Sequence, residues 1–230
     1  MNTILATQEF RRLIQTACRT LECSELGRDI VNSEQGPVWR LCVMEHQTQL
    51  RLNRNGLEAT VTVPNLDHTE PGELTINPFL LKRIAIKADK TQLRSTHDRL
   101  HIRAGQLKTE LMAQPCGAAT QYDEVPITHH IPAEFLQSGL ACTALDGGTT
   151  GQPVCRLVWD QTGFRIWSHT AYCAAHTIAS EEPNPTALDC VVPVGLLRGV
   201  VDTEPKGMLE LGCRRDVLRL RNRTVDITHP

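Results

Sequence analysis

Pro37-Val38-Trp39-Arg40-Leu41 returns 116 residues later as Pro153-Val154-Cys155-Arg156-Leu157. The same offset of 116 carries Thr75-Ile76-Asn77-Pro78-Phe79-Leu80-Leu81-Lys82 onto Val191-Val192-Pro193-Val194-Gly195-Leu196-Leu197-Arg198. At an offset of 118, Leu93 to Leu107 falls on Leu211 to Val225, with Asp98-Arg99-Leu100-His101-Ile102-Arg103 over Asp216-Val217-Leu218-Arg219-Leu220-Arg221. More loosely, Phe10, Ala17-Cys18 and Leu21 face Phe135, Ala141-Cys142 and Leu145. Four collinear matches whose offset drifts only by short insertions mark a tandem duplication. Domain 1 is expected over residues 1–116, a linker over 117–126 within a Pro-, Gly-, Ala- and Thr-rich stretch, and domain 2 over 127–230.

Each copy follows one plan. A short strand (Thr3 to Ala6; Ile127 to Ile131) leads into a helix (Thr7 to Leu21; Pro132 to Leu145). In the first helix Phe10, Leu13, Ile14, Ala17 and Leu21 make one apolar stripe, with Thr7 placed as its N-cap and Pro132 suited to the first turn of its counterpart. Period-two segments follow at Val38 to Val43, Gln49 to Leu52 and Leu57 to Val63, and again at Val154 to Trp159, Gly163 to Ser168 and Tyr172 to Ile178. Asn55-Gly56 signals a hairpin turn. Another strand enters a second helix (Asn77 to Lys87; Pro193 to Asp202), and three short strands close the copy, clearest at Gln92 to Ser95, Arg99 to Arg103 and Gln106 to Met112. The fold class is α+β, with a βαβββαβββ plan of two helices on antiparallel sheets, made twice.

Composition narrows the function classes. No apolar run approaches the roughly 20 residues of a membrane span, and the N-terminus lacks signal-peptide order, so a soluble, cytoplasmic protein is expected. Nine cysteines contain no CxxC pair, and their odd number in a chain of this size argues against a disulfide framework. His169, Cys173 and His176 are the nearest thing to a metal cluster, but on a strand His176 points away from the other two. No metal and no cofactor are expected. A net charge of −2 excludes a protein that coats nucleic acid with its whole surface, though not one with a single basic face. Catalytic signatures are missing: no Gly-x-Ser-x-Gly, P-loop, Rossmann fingerprint or His-Glu-x-x-His. Gly147-Gly148-Thr149-Thr150-Gly151 is followed by no Lys-Ser or Lys-Thr and reads as a helix-to-strand loop, and His129-His130 reads as polar surface. An enzyme is not expected.

The duplicated plan resembles the DNA sliding clamps, and the wording is most similar to their bacterial DNA polymerase III beta-subunit branch. Pro71-Gly72-Glu73-Leu74-Thr75-Ile76 before the helix with Leu80-Leu81 resembles the beta clamp's Pro-Gly, strand and second helix. Asp98 to Gly105 resembles its strand pair ending in an Arg-Ser-Gly type turn, and Gln121-Tyr122-Asp123-Glu124-Val125-Pro126 its Tyr-Arg-Arg-Val-Leu-Pro linker. Asn55-Gly56-Leu57-Glu58-Ala59 falls on an Asp-Gly-His-Arg-Leu motif beside the partner pocket. Beta clamps carry three domains per chain and close a ring of six. Two domains per chain then imply a homotrimer, as in phage, archaeal and eukaryotic clamps.

The resemblance implies a processivity factor that encircles duplex DNA without sequence preference, is opened by a clamp loader, and tethers a DNA polymerase and other enzymes through short peptides. Both helices of every family domain line the hole, so the candidate DNA-binding residues are Arg11, Arg12, Gln15 and Arg19 on the first helix, Lys82, Arg83 and Lys87 on the second, and Arg198 in copy two. Copy two is poor in bases, with Glu134, Gln137 and Ser138 on its first helix. The partner-peptide pocket is expected from Leu57, Ala59, Tyr122, Val125, Pro126, His229 and Pro230. It is more acidic than the family's, because Glu58, Asp123 and Glu124 replace basic residues. Two alternatives stay open: a clamp-like factor that grips DNA without encircling it, and a protein-binding scaffold or clamp antagonist.

Overall fold

The computed structural model describes residues 1–22, 39–54, 57–96, 98–114, 125–142, 154–169, 174–181, 183–184, 186–214 and 217–229. The chain divides into two compact units on either side of the Tyr122–Asp123 bond.

Unit 1 runs β1 (Asn2–Ala6), α1 (Thr7–Glu22), β2 (Trp39–Val43), β3 (Gln47–Arg54), β4 (Leu57–Pro64), β5 (Asp67–Glu70), β6 (Gly72–Ile76), α2 (Pro78–Lys82), β7 (Lys90–Ser95), β8 (Arg99–Ala104) and β9 (Leu107–Met112). One antiparallel sheet has the order β5-β1-β7-β8-β9, and a second joins β4-β3-β2-β6. Alternation fixes the inner faces: Leu5, Leu93, Leu100 and Ile102 from the first sheet, Trp39, Leu41, Leu50 and Val61 from the second, all buried. The α1 stripe of Phe10, Leu13, Ile14, Ala17 and Cys18 completes this core.

Unit 2 repeats the scheme as β10 (His129–Pro132), α3 (Ala133–Cys142), β11 (Val154–Asp160), β12 (Gly163–His169), β13 (Ala174–Ser180), β14 (Leu188–Pro193), α4 (Val194–Val201), β15 (Met208–Arg214), β16 (Val217–Arg221) and β17 (Val225–His229). Its sheets are β10-β15-β16-β17 and β13-β12-β11-β14.

Strand registers carry the duplication pair by pair. Trp39↔Ile76 becomes Cys155↔Val192, and Arg40↔Arg51 becomes Arg156↔Trp167, each shifted by 116 on both strands. Leu93↔Ile102 becomes Leu211↔Leu220, and Leu100↔Leu111 becomes Leu218↔His229, shifted by 118. The first strand and helix need a third offset. Thr3↔Leu93 corresponds to His129↔Leu211, and Leu5↔Thr91 to Ile131↔Leu209, so β1 and β10 differ by 126. Burial along the helices agrees, with Leu136 in the place of Phe10, Gly139 in that of Leu13 and Leu140 in that of Ile14. The expected Phe10–Phe135 match is therefore one residue out of step. Phe135 is only half-buried, and a slip of one residue leaves a helical stripe looking intact in the sequence.

Other expectations need correction. Among the described residues, five strands lie between the two helices in unit 1 and four in unit 2, more than βαβββαβββ counts. The helix expected over Asn77 to Lys87 starts as the sequence suggests, with Asn77 Oδ1 accepting from Phe79 N at 3.0 Å and Pro78 in the first turn, but it ends at Lys82. Ile84 N reaches back to Leu81 O, and the chain then extends to bury Ile86, because residues two apart cannot share one helix face. Lys87 is thus not helical. Thr7 opens α1, yet its hydroxyl lies 2.9 Å from that of Thr91 across the sheet rather than serving the helix end. His129, expected at the surface, is buried, with Nε2 2.9 Å from the Thr186 carbonyl and Nδ1 2.8 Å from the Thr128 hydroxyl. Asn55-Gly56, the glycine-rich loop 147–151 and Cys173 lie outside the described residues.

Candidate nucleic-acid interface

In unit 1, α1 packs against the core through one stripe, which leaves Gln8, Arg11, Arg12, Gln15 and Arg19 along the opposite side at helical spacing. Gln8, Arg11 and Gln15 are exposed, and Arg12 is half-buried with Nη2 2.6 Å from the Glu9 carboxylate one turn back. Arg19 belongs to the same helix, but its side chain lies outside what is described. Arg11 also braces the fold, since its guanidinium donates to the Ile86 carbonyl beyond α2. The position 126 residues on is Gln137, which donates to the Pro205 carbonyl at 3.0 Å. Both copies therefore use this site to tie the first helix to the loop after the second. Against α1 lies α2, whose last turn and C-cap present Lys82 and Arg83, both exposed, with exposed Lys87 further along the extended segment.

Unit 2 offers a different surface. On α3 the exposed residues at the same places are Glu134, Gln137 and Ala141, so one carboxylate stands where unit 1 has glutamine and no base replaces Arg11. Arg198 of α4 is half-buried, and its Nη2 donates to the Leu140 carbonyl at 2.9 Å. That bond ties α4 to α3 and commits the guanidinium to the fold. Exposed Lys206 lies past the end of α4.

The residues expected around a peptide pocket are mostly interior. Leu57 and Ala59 on β4 are each 1 % exposed, and Val125 is 4 % exposed. Pro126 is exposed and His229 half-buried, whereas Tyr122 and Pro230 lie outside the described residues. Burial leaves Leu57, Ala59 and Val125 no open surface for a ligand. The alternating pattern of β4 reports packing here, and sequence alone does not separate packing from a pocket wall.

Among the described residues, Cys18, Cys42, Cys155 and Cys190 are buried and Cys213 is exposed. Burial pushes the Cys155 and Cys190 thiols up to about 12.

Comparison with solved structures settles the architecture. The beta subunit of DNA polymerase III from Thermotoga maritima superposes with a TM-score of 0.79 at 11 % identity over 99 % of this chain. The fold is that of the sliding clamps. The beta subunit from Streptococcus pyogenes gives 0.79 at 12 % identity and that from Pseudomonas aeruginosa 0.76 at 16 %, each again over 99 % of the chain. This chain spans 63 % of the Thermotoga and Streptococcus subunits and 64 % of the Pseudomonas one. No protein-family model and no curated sequence matches it. One further sliding clamp of Pseudomonas aeruginosa is a complex with griselimycin. Among the described residues, no helix is long and apolar enough to cross a membrane.

Proposed function

We propose that the chain is a DNA sliding clamp: a non-enzymatic ring that encircles duplex DNA and holds replication or repair enzymes on it. The observation that carries this reading is the basic surface of unit 1, with Arg12 on α1 and Lys82 and Arg83 at the end of α2, on a sliding-clamp fold. A ring needs no tight or sequence-specific grip, because topology retains it. A few cations near phosphates give weak, salt-sensitive, sequence-blind contact, which permits sliding. Exposed Glu134 and the committed guanidinium of Arg198 leave that work to unit 1. Partner enzymes would dock by short peptides, and a loader would open the ring in the cytoplasm.

A ring of six clamp units built from this two-unit chain would be a homotrimer. Native mass measurement is expected to give three times the chain mass of 25.6 kDa. A monomer or dimer at every concentration tested would rule out the closed ring. The weak basic character of unit 2 favours a second reading, a clamp-like factor or scaffold that does not encircle DNA. Such a protein would bind linear and circular DNA alike, or neither.

A further inference from the structure

The first sheet of unit 1 turns Leu93, Leu100, Ile102 and Ala104 to the core, so its other face carries Lys90, Gln92 and Arg94 of β7, Arg99, His101 and Arg103 of β8, and Lys108, Glu110 and Met112 of β9. Five of these are permanent cations and one is a carboxylate. Glu110 is fully engaged, 2.9 Å from Arg99 Nη1 and 3.1 Å from His101 Nδ1, and the Arg99 bond holds its carboxyl below the usual range. Arg94, Arg103 and Lys108 are exposed and have no ion pair or hydrogen bond among the described residues. Arg103 and Lys108 stand directly opposite each other in the register, a like-charge cross-strand pair that costs stability in isolation.

Unit 2 shows the same face neutralised. The positions 118 residues on are Glu210 and Gly212, Arg219 and Arg221, Asp226 and Thr228. Arg219 grips Asp226 with two bonds of 2.9 and 2.7 Å, and Arg221 pairs with Glu210. The Val125–Pro126 stretch lies over this face. A Cβ at Gly212, the counterpart of Arg94, would stand 2.2 Å from the Pro126 carbonyl oxygen, and Arg219 Nη1 donates to the Val125 carbonyl at 3.1 Å. The duplicated fold therefore holds main-chain carbonyls of Val125 and Pro126 against this face in one copy and leaves the matching side chains exposed and positively charged in the other.

We infer that the outer face of β7-β8-β9 is a docking surface for an extended acidic segment of a partner protein, gripped by Arg94, Arg103 and Lys108. Charge selects the partner's chemistry and unit 2 supplies the binding mode. A carboxylate-bearing chain can meet Arg103 and Lys108 about 5 Å apart and Arg94 on the diagonal at about 7–8 Å. Nucleic acid fits less well, because Glu110 interrupts the row and no Phe, Tyr or Trp points outward here for a base to stack on. The inference does not depend on ring closure, since the face is complete within unit 1.

Fluorescence anisotropy with a labelled peptide of four Glu-Thr repeats tests it, beside the same peptide with Gln for Glu. The Glu peptide is expected to bind the full chain at low salt and the Gln peptide not. The double substitution Arg103→Gln, Lys108→Gln should weaken binding about fivefold, at roughly two- to threefold for each exposed ion pair lost. Lys206→Gln should leave it unchanged. Thermal unfolding of the double variant should be unaltered or shifted upward as the like-charge pair is relieved, which separates lost binding from lost folding. Equal binding by the double variant would overturn the inference. So would a labelled oligothymidylate that binds more tightly than the Glu peptide and loses affinity with the same two substitutions.

Discussion

Reversing Arg12, Arg19, Lys82 and Arg83 together to glutamate is expected to abolish association with duplex DNA at moderate salt. Arg12 lies on the polar side of α1, Arg19 follows it two turns on in the same helix, and Lys82 and Arg83 stand exposed at the end of α2. Each phosphate neutralised contributes about 0.9 to the slope of log K against log salt, so four contacts account for a slope of roughly 3.6. Reversal removes that contribution and adds repulsion. Arg11 is left intact, because its bond to the Ile86 carbonyl makes its loss a folding defect as well. Association measured across a salt series would read the effect. An unchanged affinity and slope would show that DNA does not meet these helices.

Gly212→Val should lower the melting temperature of unit 2 by more than about 10 °C. A side chain at residue 212 would enter the backbone of Pro126, 2.2 Å from its oxygen and 3.0 Å from its carbon, and backbone cannot swing aside as a side-chain tip can. Making room means lifting the segment that buries Val125, receives the Arg219 bond and donates Thr128 N to Leu211 O at 2.9 Å. Overpacking together with these losses is worth at least about 3 kcal/mol. For a domain of this size that means a melting shift of more than about 10 °C. Arg94→Gly at the matching place in unit 1, where the side chain is exposed, is the contrasting control. A shift of only a few degrees for Gly212→Val would mean that the segment does not rest on β15.

Much of the fold was legible in the sequence because strand pairing couples distant positions. Once Pro37 to Leu41 and Thr75 to Lys82 recur at one offset, β2 and β6 must pair alike in both copies, and they do. The first helix misled, since aromatic Phe10 and Phe135 look equivalent while Leu136 is the buried residue. Strand β5, four residues of Asp-His-Thr-Glu, carries no apolar alternation to betray it. Site residues were readable as far as charge and helical spacing go. What they touch was not: the Arg198 bond to Leu140, the Arg11 bond to Ile86 and the burial of Leu57 and Ala59 depend on packing between elements far apart in the chain.

Retention on circular DNA tests the central claim most directly. The protein would be loaded onto a nicked circular duplex, challenged with salt that removes nonspecific binders, and the circle then cut once. A closed ring stays on the circle through the salt wash and is released on cutting. Equal retention before and after the cut, or none at either stage, would contradict it.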